Sequence, residues 1–142
     1  MGKLETAILN AGFNAAEKAV VAADMQSATP KKLFTVTGVV EVQLIPVVTT
    51  TVTRTAGALT AEIGIAGNTA ALVAQADKSL LIAGAVFNGA APANPAAAPA
   101  AKILANGEDI YLTTGTGNAE TGAMTVYCRW RAISATGAVV AA

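Results

Sequence analysis

From Phe34 onward, apolar side chains recur at every second position, and this period limits the fold more than any other feature of the chain. Phe34, Val36, Val40, Val42 and Leu44 share one parity, while Thr35, Thr37, Glu41 and Gln43 share the other. Leu59, Ala61, Ile63 and Ile65 alternate with Thr60, Glu62 and Gly64. Near the C-terminus, Met124, Val126, Cys128 and Trp130 alternate with Thr125, Tyr127, Arg129 and Arg131. Successive side chains of a strand point to opposite faces, so each stretch predicts a strand with one face buried.

The intervening segments are less regular. Pro46 has no N–H to give a sheet and limits the next segment to an edge, a bulge or a new strand; "VVTTTVTRT", rich in β-branched residues, fits a new strand. "ALVAQ" suits a short strand or one helical turn, and "SLLIAGAVF", apolar on both parities, suits burial on both faces. Asn106-Gly107 between two apolar runs predicts a tight hairpin, and "TTGTGNAETGA" a looser turn. Six to eight strands with Gly-containing turns and no alternating helices point to an antiparallel β-sandwich, jelly-roll or immunoglobulin-like.

At 142 residues the chain reads as one domain. Residues 1–30 are expected to be an N-terminal arm or helix: "AAEKAVVAADM" holds good helix formers, but its apolar spacing is loose. The sandwich is expected over 31–136, with an Ala/Pro-rich loop at 88–102 and a short tail at 137–142. No membrane span is expected. The longest uncharged run, Leu80 to Ala101, is broken by Pro92, Pro95 and Pro99, and no targeting segment is visible at the N-terminus.

The composition is poor in chemistry. Without histidine, the commonest general base and metal ligand is missing, so Ser27, Ser79 and Ser134 have no imidazole to activate them. Cys128 is the lone cysteine, which excludes an internal disulfide and a cysteine-based zinc site. On a strand, Arg129 and Arg131 point away from it, so it reads as a small core residue. Asp24, Glu41, Glu62, Asp77, Glu108, Asp109 and Glu120 fall mostly in turns or on Thr-rich outer faces, where solvated charges belong. "NGED" lacks an EF-hand loop and "GTGNAETG" lacks a strand–GxGxxG–helix context. The reading is a protein with no catalytic residues, no cofactor and no metal.

Contact chemistry is what remains. Charged residues are 13% of the chain and formal net charge is zero, which protects a surface poorly against self-association. Tyr127, Arg129 and Arg131 form an aromatic–basic face, which Arg54 joins only if its strand neighbours theirs. With no net positive charge, the electrostatic term that dominates nucleic-acid affinity is weak. Arg and Tyr are enriched at protein interfaces, and a protein contact is the preferred reading. Lys31 and Lys32, at the exit of the N-terminal segment, are further contact candidates.

Three blocks, "KLFTVTGVVEVQLIPVVTTTVT", "EIGIAGNTAALVAQ" and "ANGEDIYLTTGTGNAETGAMTVYCRWRAIS", resemble small virion proteins of tailed bacteriophages. The resemblance spans roughly residues 31–136 and departs at Ile45-Pro46, where Gly is more usual, in the Ala/Pro insertion and in the N-terminal extension. It implies a jelly-roll-like head decoration (cement) protein, made in the host cytoplasm. Such a protein binds itself, as a trimer, and the major capsid protein on the virion surface, with no membrane and no specific nucleic acid. Alternatives are a head-fibre, tail-tube or tail-fibre subunit, or a virion-surface carbohydrate-binding module, against which an aromatic content of 4% argues.

Overall fold

The structure, a computed structural model, describes residues 12–142 apart from positions 28, 92 and 94. Among the described residues nine strands carry the fold: β1 (Asn14–Val21), β2 (Lys31–Thr37), β3 (Val40–Thr53), β4 (Thr60–Ile65), β5 (Asn68–Asp77), β6 (Lys102–Leu104), β7 (Ile110–Gly115), β8 (Thr121–Ala132) and β9 (Ala138–Ala141). Single 3-10 turns at Ala22–Asp24 and Lys78–Leu80 are the helical elements among the described residues. Sheet 1 has the order β1-β8-β3-β6 and sheet 2 the order β5-β4-β7-β2-β9, and every named pairing is antiparallel. The protein is therefore an all-β antiparallel sandwich. The pairs β1–β8, β2–β7, β3–β6 and β4–β5 nest one inside the next, as when a long hairpin is rolled up, and β9 adds a ninth strand beside β2.

The core lies between the sheets and is filled by the alternating residues of both. Sheet 1 supplies Val20, Val40, Val42, Leu44, Val48, Met124, Val126 and Cys128; sheet 2 supplies Phe34, Val36, Ala61, Ile63, Val73, Ile110, Leu112 and Val139, all buried. At β2 a bulge between Lys32 and Phe34 lets two consecutive residues, Leu33 and Phe34, both face inward.

The structure corrects several expectations. Phe34 to Leu44 is two strands in opposite sheets, broken at Gly38, where φ is +63° and a Cβ would meet Ser134 Oγ at 2.6 Å. The apolar parity survives the crossing because β2 and β3 face one core from opposite sides. "VVTTTVT" is not a new strand but the continuation of β3 past Pro46. Residue 46 directs its backbone carbonyl away from β8 to accept from Phe87 N–H at 2.9 Å, so the absent Pro N–H costs the β3–β8 ladder nothing. "SLLIAGAVF" is an irregular strap along that edge of β3. Val52 N–H donates to Leu81 O and Val48 N–H to Ala85 O, both at 2.9 Å; Leu81 and Phe87 are buried and Ile82 is exposed.

Asn106-Gly107 does not close a hairpin, because β6 belongs to sheet 1 and β7 to sheet 2. It makes a corner, tied to the other crossing by Gly38 N–H donating to Asn106 Oδ1 at 2.9 Å and Gly107 N–H to Val36 O at 3.1 Å. "ALVAQ" lies within strand β5. The N-terminal segment is extended rather than helical where it is described: β1 pairs with β8 along its whole length, and β9 pairs with β2, so the sandwich takes in residues on both sides of 31–136. The helix expectation over residues 4–11 lies outside the described residues. Among the described residues, no helix is long and apolar enough to cross a membrane.

Candidate interaction face

Strand β8 sorts its side chains as period two requires. Val126 and Cys128 are fully buried, while Tyr127, Arg129 and Arg131 stand on the outer face of sheet 1. The register builds that face row by row. Ala15 and Gln43 flank Arg129, Glu17 and Ile45 flank Tyr127, and Ala19 and Val47 flank Thr125. Glu41 lies beside Arg131, and Ile103 of β6 beside Glu41. Arg131 donates from Nε to Glu41 Oε2 as an ion pair. The Arg129 guanidinium carbon lies 3.8 Å from the Phe13 ring centroid, a cation–π stack that holds the planar fork in place; Arg131 lies at 5.5 Å from the same ring. Tyr127 is 44%, Val21 52% and Ile103 67% exposed, so this face shows large apolar surface between its few charges.

The other proposed contact residues do not join this face. Lys31 and Lys32 belong to β2 in sheet 2, paired with Asp24 at 2.7 Å and with Asp109 at 2.5 Å. Arg54 follows β3, which does neighbour β8, but the antiparallel register puts Val40 opposite Ala132 and Thr53 opposite Thr121, at opposite ends of the pair. Arg54 therefore lies roughly 30 Å along the sheet from Arg129 at about 3.3 Å per residue. There Nη1 donates to Ala58 O and Thr116 O, both at 2.7 Å, so Arg54 is a clamp between loops. Sequence reasoning missed Phe13, Glu17 and Ile103. The first two fell in a segment without apolar alternation, and Ile103 was visible only as part of "KIL" beside the predicted turn.

Four carboxyls, of Asp24, Asp77, Asp109 and Glu120, are engaged in structural roles. Lys31 and Lys32 hold the Asp24 and Asp109 carboxyls below their ordinary value of 3.8, helped by Val21 and Val36 N–H and opposed by burial. The Ser79 backbone N–H does the same for Asp77, and the Thr55 hydroxyl for Glu120, whose ordinary value is 4.5. A carboxyl depressed by folding adds stability that is complete above its unfolded value and is lost as pH falls through its folded value. Urea midpoints should therefore hold steady from pH 7 to about 4.5 and decline below it. Equal stability at pH 7 and pH 2 would contradict these assignments.

Burial pushes the Cys128 thiol up to about 12, which leaves no useful thiolate near neutrality. Ellman's reagent at pH 8 should find no thiol in the native protein and one per chain in urea; fast native reaction would mean that the strand opens. Among the described residues, one shallow depression lies beside Ile82–Asn88 and another is lined by Pro30, Ile65, Tyr111 and Thr113, and neither of these presents a carboxylate, amine or thiol. No grouping of three or more Asp, Glu, Cys or His that could hold a metal occurs among the described residues.

These features define a class: a two-sheet antiparallel sandwich whose most chemically varied surface is the outer face of one sheet. No protein-family model matches the chain, and no curated protein matches it either. Among solved structures it is similar to a chain described under "Bacillus endospore appendages form a novel family of disulfide-linked pili". The identity is 15%, the TM-score 0.34, and the match covers 84% of this chain and 87% of that one. A likeness at that level bears on neither function nor partners.

Proposed function

We propose that the protein is a non-catalytic structural subunit of a bacteriophage virion, a decoration protein that binds the head shell and stabilises it. The observation that carries the reading is the outer face of sheet 1: exposed Tyr127, Val21 and Ile103 around guanidinium groups fixed by Phe13 and Glu41. Such a surface suits a protein contact, because aromatic and Arg side chains supply most interface energy and a stacked guanidinium loses little freedom on binding. The nested strand pairs support a jelly-roll reading of the sandwich. The resemblance of residues 31–136 to small virion proteins of tailed phages supplies the partner, the major capsid protein. It also supplies the location, the capsid surface after synthesis in the host cytoplasm. A zero net charge gives no drive toward nucleic acid.

The mechanism is linkage. A subunit that binds only the assembled shell stabilises it by RT ln(1 + [L]/Kd), about 2.7 kcal/mol per site at a hundredfold excess over Kd. Self-association multiplies this through avidity. The test is quantitative mass spectrometry of purified virions, followed by addition of the protein to heads that lack it. Copy numbers of several hundred and a raised shell melting temperature are expected. A few tens of copies or fewer would place the protein in a fibre, tail or connector instead.

A further inference from the structure

We infer that the outer face of sheet 1 is a two-fold contact between copies of this chain, held by reciprocal Arg129–Glu17 ion pairs around Tyr127. The inference rests on the reading of the chain as an assembly subunit and takes this face as its self-contact, which leaves the shell contact to another surface.

Charge placement carries the argument. Of the four charged residues on this face among the described residues, Arg131 and Glu41 satisfy each other. Arg129 and Glu17 have no ion-pair partner among the described residues, although they stand on adjacent strands. The Arg129 guanidinium stacks on Phe13, which precedes Ala15 and lies on the side away from Glu17, so the two do not pair although they are near neighbours. Glu17 is opposite Tyr127 and Arg129 opposite Ala15, so the two are diagonal neighbours, about 7–8 Å apart at the backbone.

A like face laid on this one, about a two-fold axis that lies in the contact plane midway between Arg129 and Glu17, puts each Arg129 over the other copy's Glu17. Two ion pairs then form that the single copy leaves unmade. A two-fold contact of this kind needs a self-complementary patch, and a face with one cation and one anion left over is the smallest patch that qualifies. Its apolar part is shared in the same way, with Tyr127 near the axis and Val21 and Ile103 further out.

The size is adequate. At about 3.3 Å by about 4.8 Å per residue, the four strands of sheet 1 present about 600 Å², near the lower end of what one partner contributes to a specific interface. The outer face of sheet 2 is a poorer candidate. Lys32 is already paired there, and its neighbours include Thr35, Thr60, Glu62, Thr113 and Gln75.

The experiment is sedimentation velocity on the purified full chain with Arg129→Glu, Glu17→Arg and the double reversal. Both side chains are on the outer face, and circular dichroism checks that each variant keeps the sheet signal. A wild-type dimer is expected, each single reversal should weaken it at least tenfold, and the double reversal should restore it. A wild-type monomer or trimer, or a folded double variant that stays as weak as the singles, would overturn the inference. Shell binding is measured separately. A monomer that binds heads removes the dimer and leaves the decoration reading intact, whereas a dimer that ignores heads does the reverse.

Discussion

Phe34→Ala lowers the free energy of unfolding by about 3–5 kcal/mol, the range expected for deleting a fully buried aromatic ring. Phe34 has no exposed surface and sits in sheet 2 opposite Ile110 on one side and Ala141 on the other. The bulge before it already turns Leu33 inward, so neighbouring side chains are committed on both sides and cannot collapse into the vacated space. Single domains are stable by about 5–15 kcal/mol, so the loss is a large share of the total. Urea unfolding followed by Trp130 fluorescence should show a lower midpoint at unchanged slope. Val140→Ala, near the end of β9 and 62% exposed, should stay within about 0.5 kcal/mol of the parent. Equal effects at the two positions would mean that the sandwich does not pack around Phe34.

What could be read from the chain depended on the range of the signal. The inward sets Leu59–Ala61–Ile63 and Met124–Val126–Cys128 were legible because a buried face needs only local alternation, and burial bears them out. Strand β1 was not. Its inward positions include Ala16 and Lys18, its outward positions Ala15 and Ala19, and such a sequence shows neither a strand period nor a helix period. Pairing with β8 decides its conformation, and that pairing joins residues about a hundred positions apart or more. Gly38 and Asn106-Gly107 show the same limit from the other side. The alternation runs through Gly38 and hid the crossing there, and Asn106-Gly107 was read as a hairpin, because a hairpin and a corner between sheets use the same turn residues and only the destination of the next strand separates them. On the candidate face, Tyr127, Arg129 and Arg131 were legible from the parity of one strand. Phe13, Glu17 and Glu41 complete it from two other strands or their flanks, and no local pattern links them.

Arg54 gives the sharpest case, and a second large effect. Arg54→Ala should cost about 1.5–3 kcal/mol, because it removes a charged donor from two carbonyls at once. Nη1 reaches Ala58 O and Thr116 O at 2.7 Å, tying the loop after β3 to the turn before β8. That turn holds Thr116 at φ +61°, a conformation that non-glycine residues rarely adopt and that the surrounding bonds must sustain. The guanidinium fits because residue 117 is glycine: a Cβ there would lie 1.1 Å from Nη1 and 2.0 Å from Cζ. Gly117→Ala should therefore destabilise the parent by a similar amount, by expelling the Arg54 side chain. In the Arg54→Ala background nothing remains to expel, and the same substitution should cost less than about 0.5 kcal/mol. The double-mutant cycle should thus show a coupling of about 1–3 kcal/mol. Additive costs would mean that residue 117 acts through its own backbone and not through the clamp. Dimer formation should be unchanged by Arg54→Ala, since the residue lies at the far end of the sheet from Arg129.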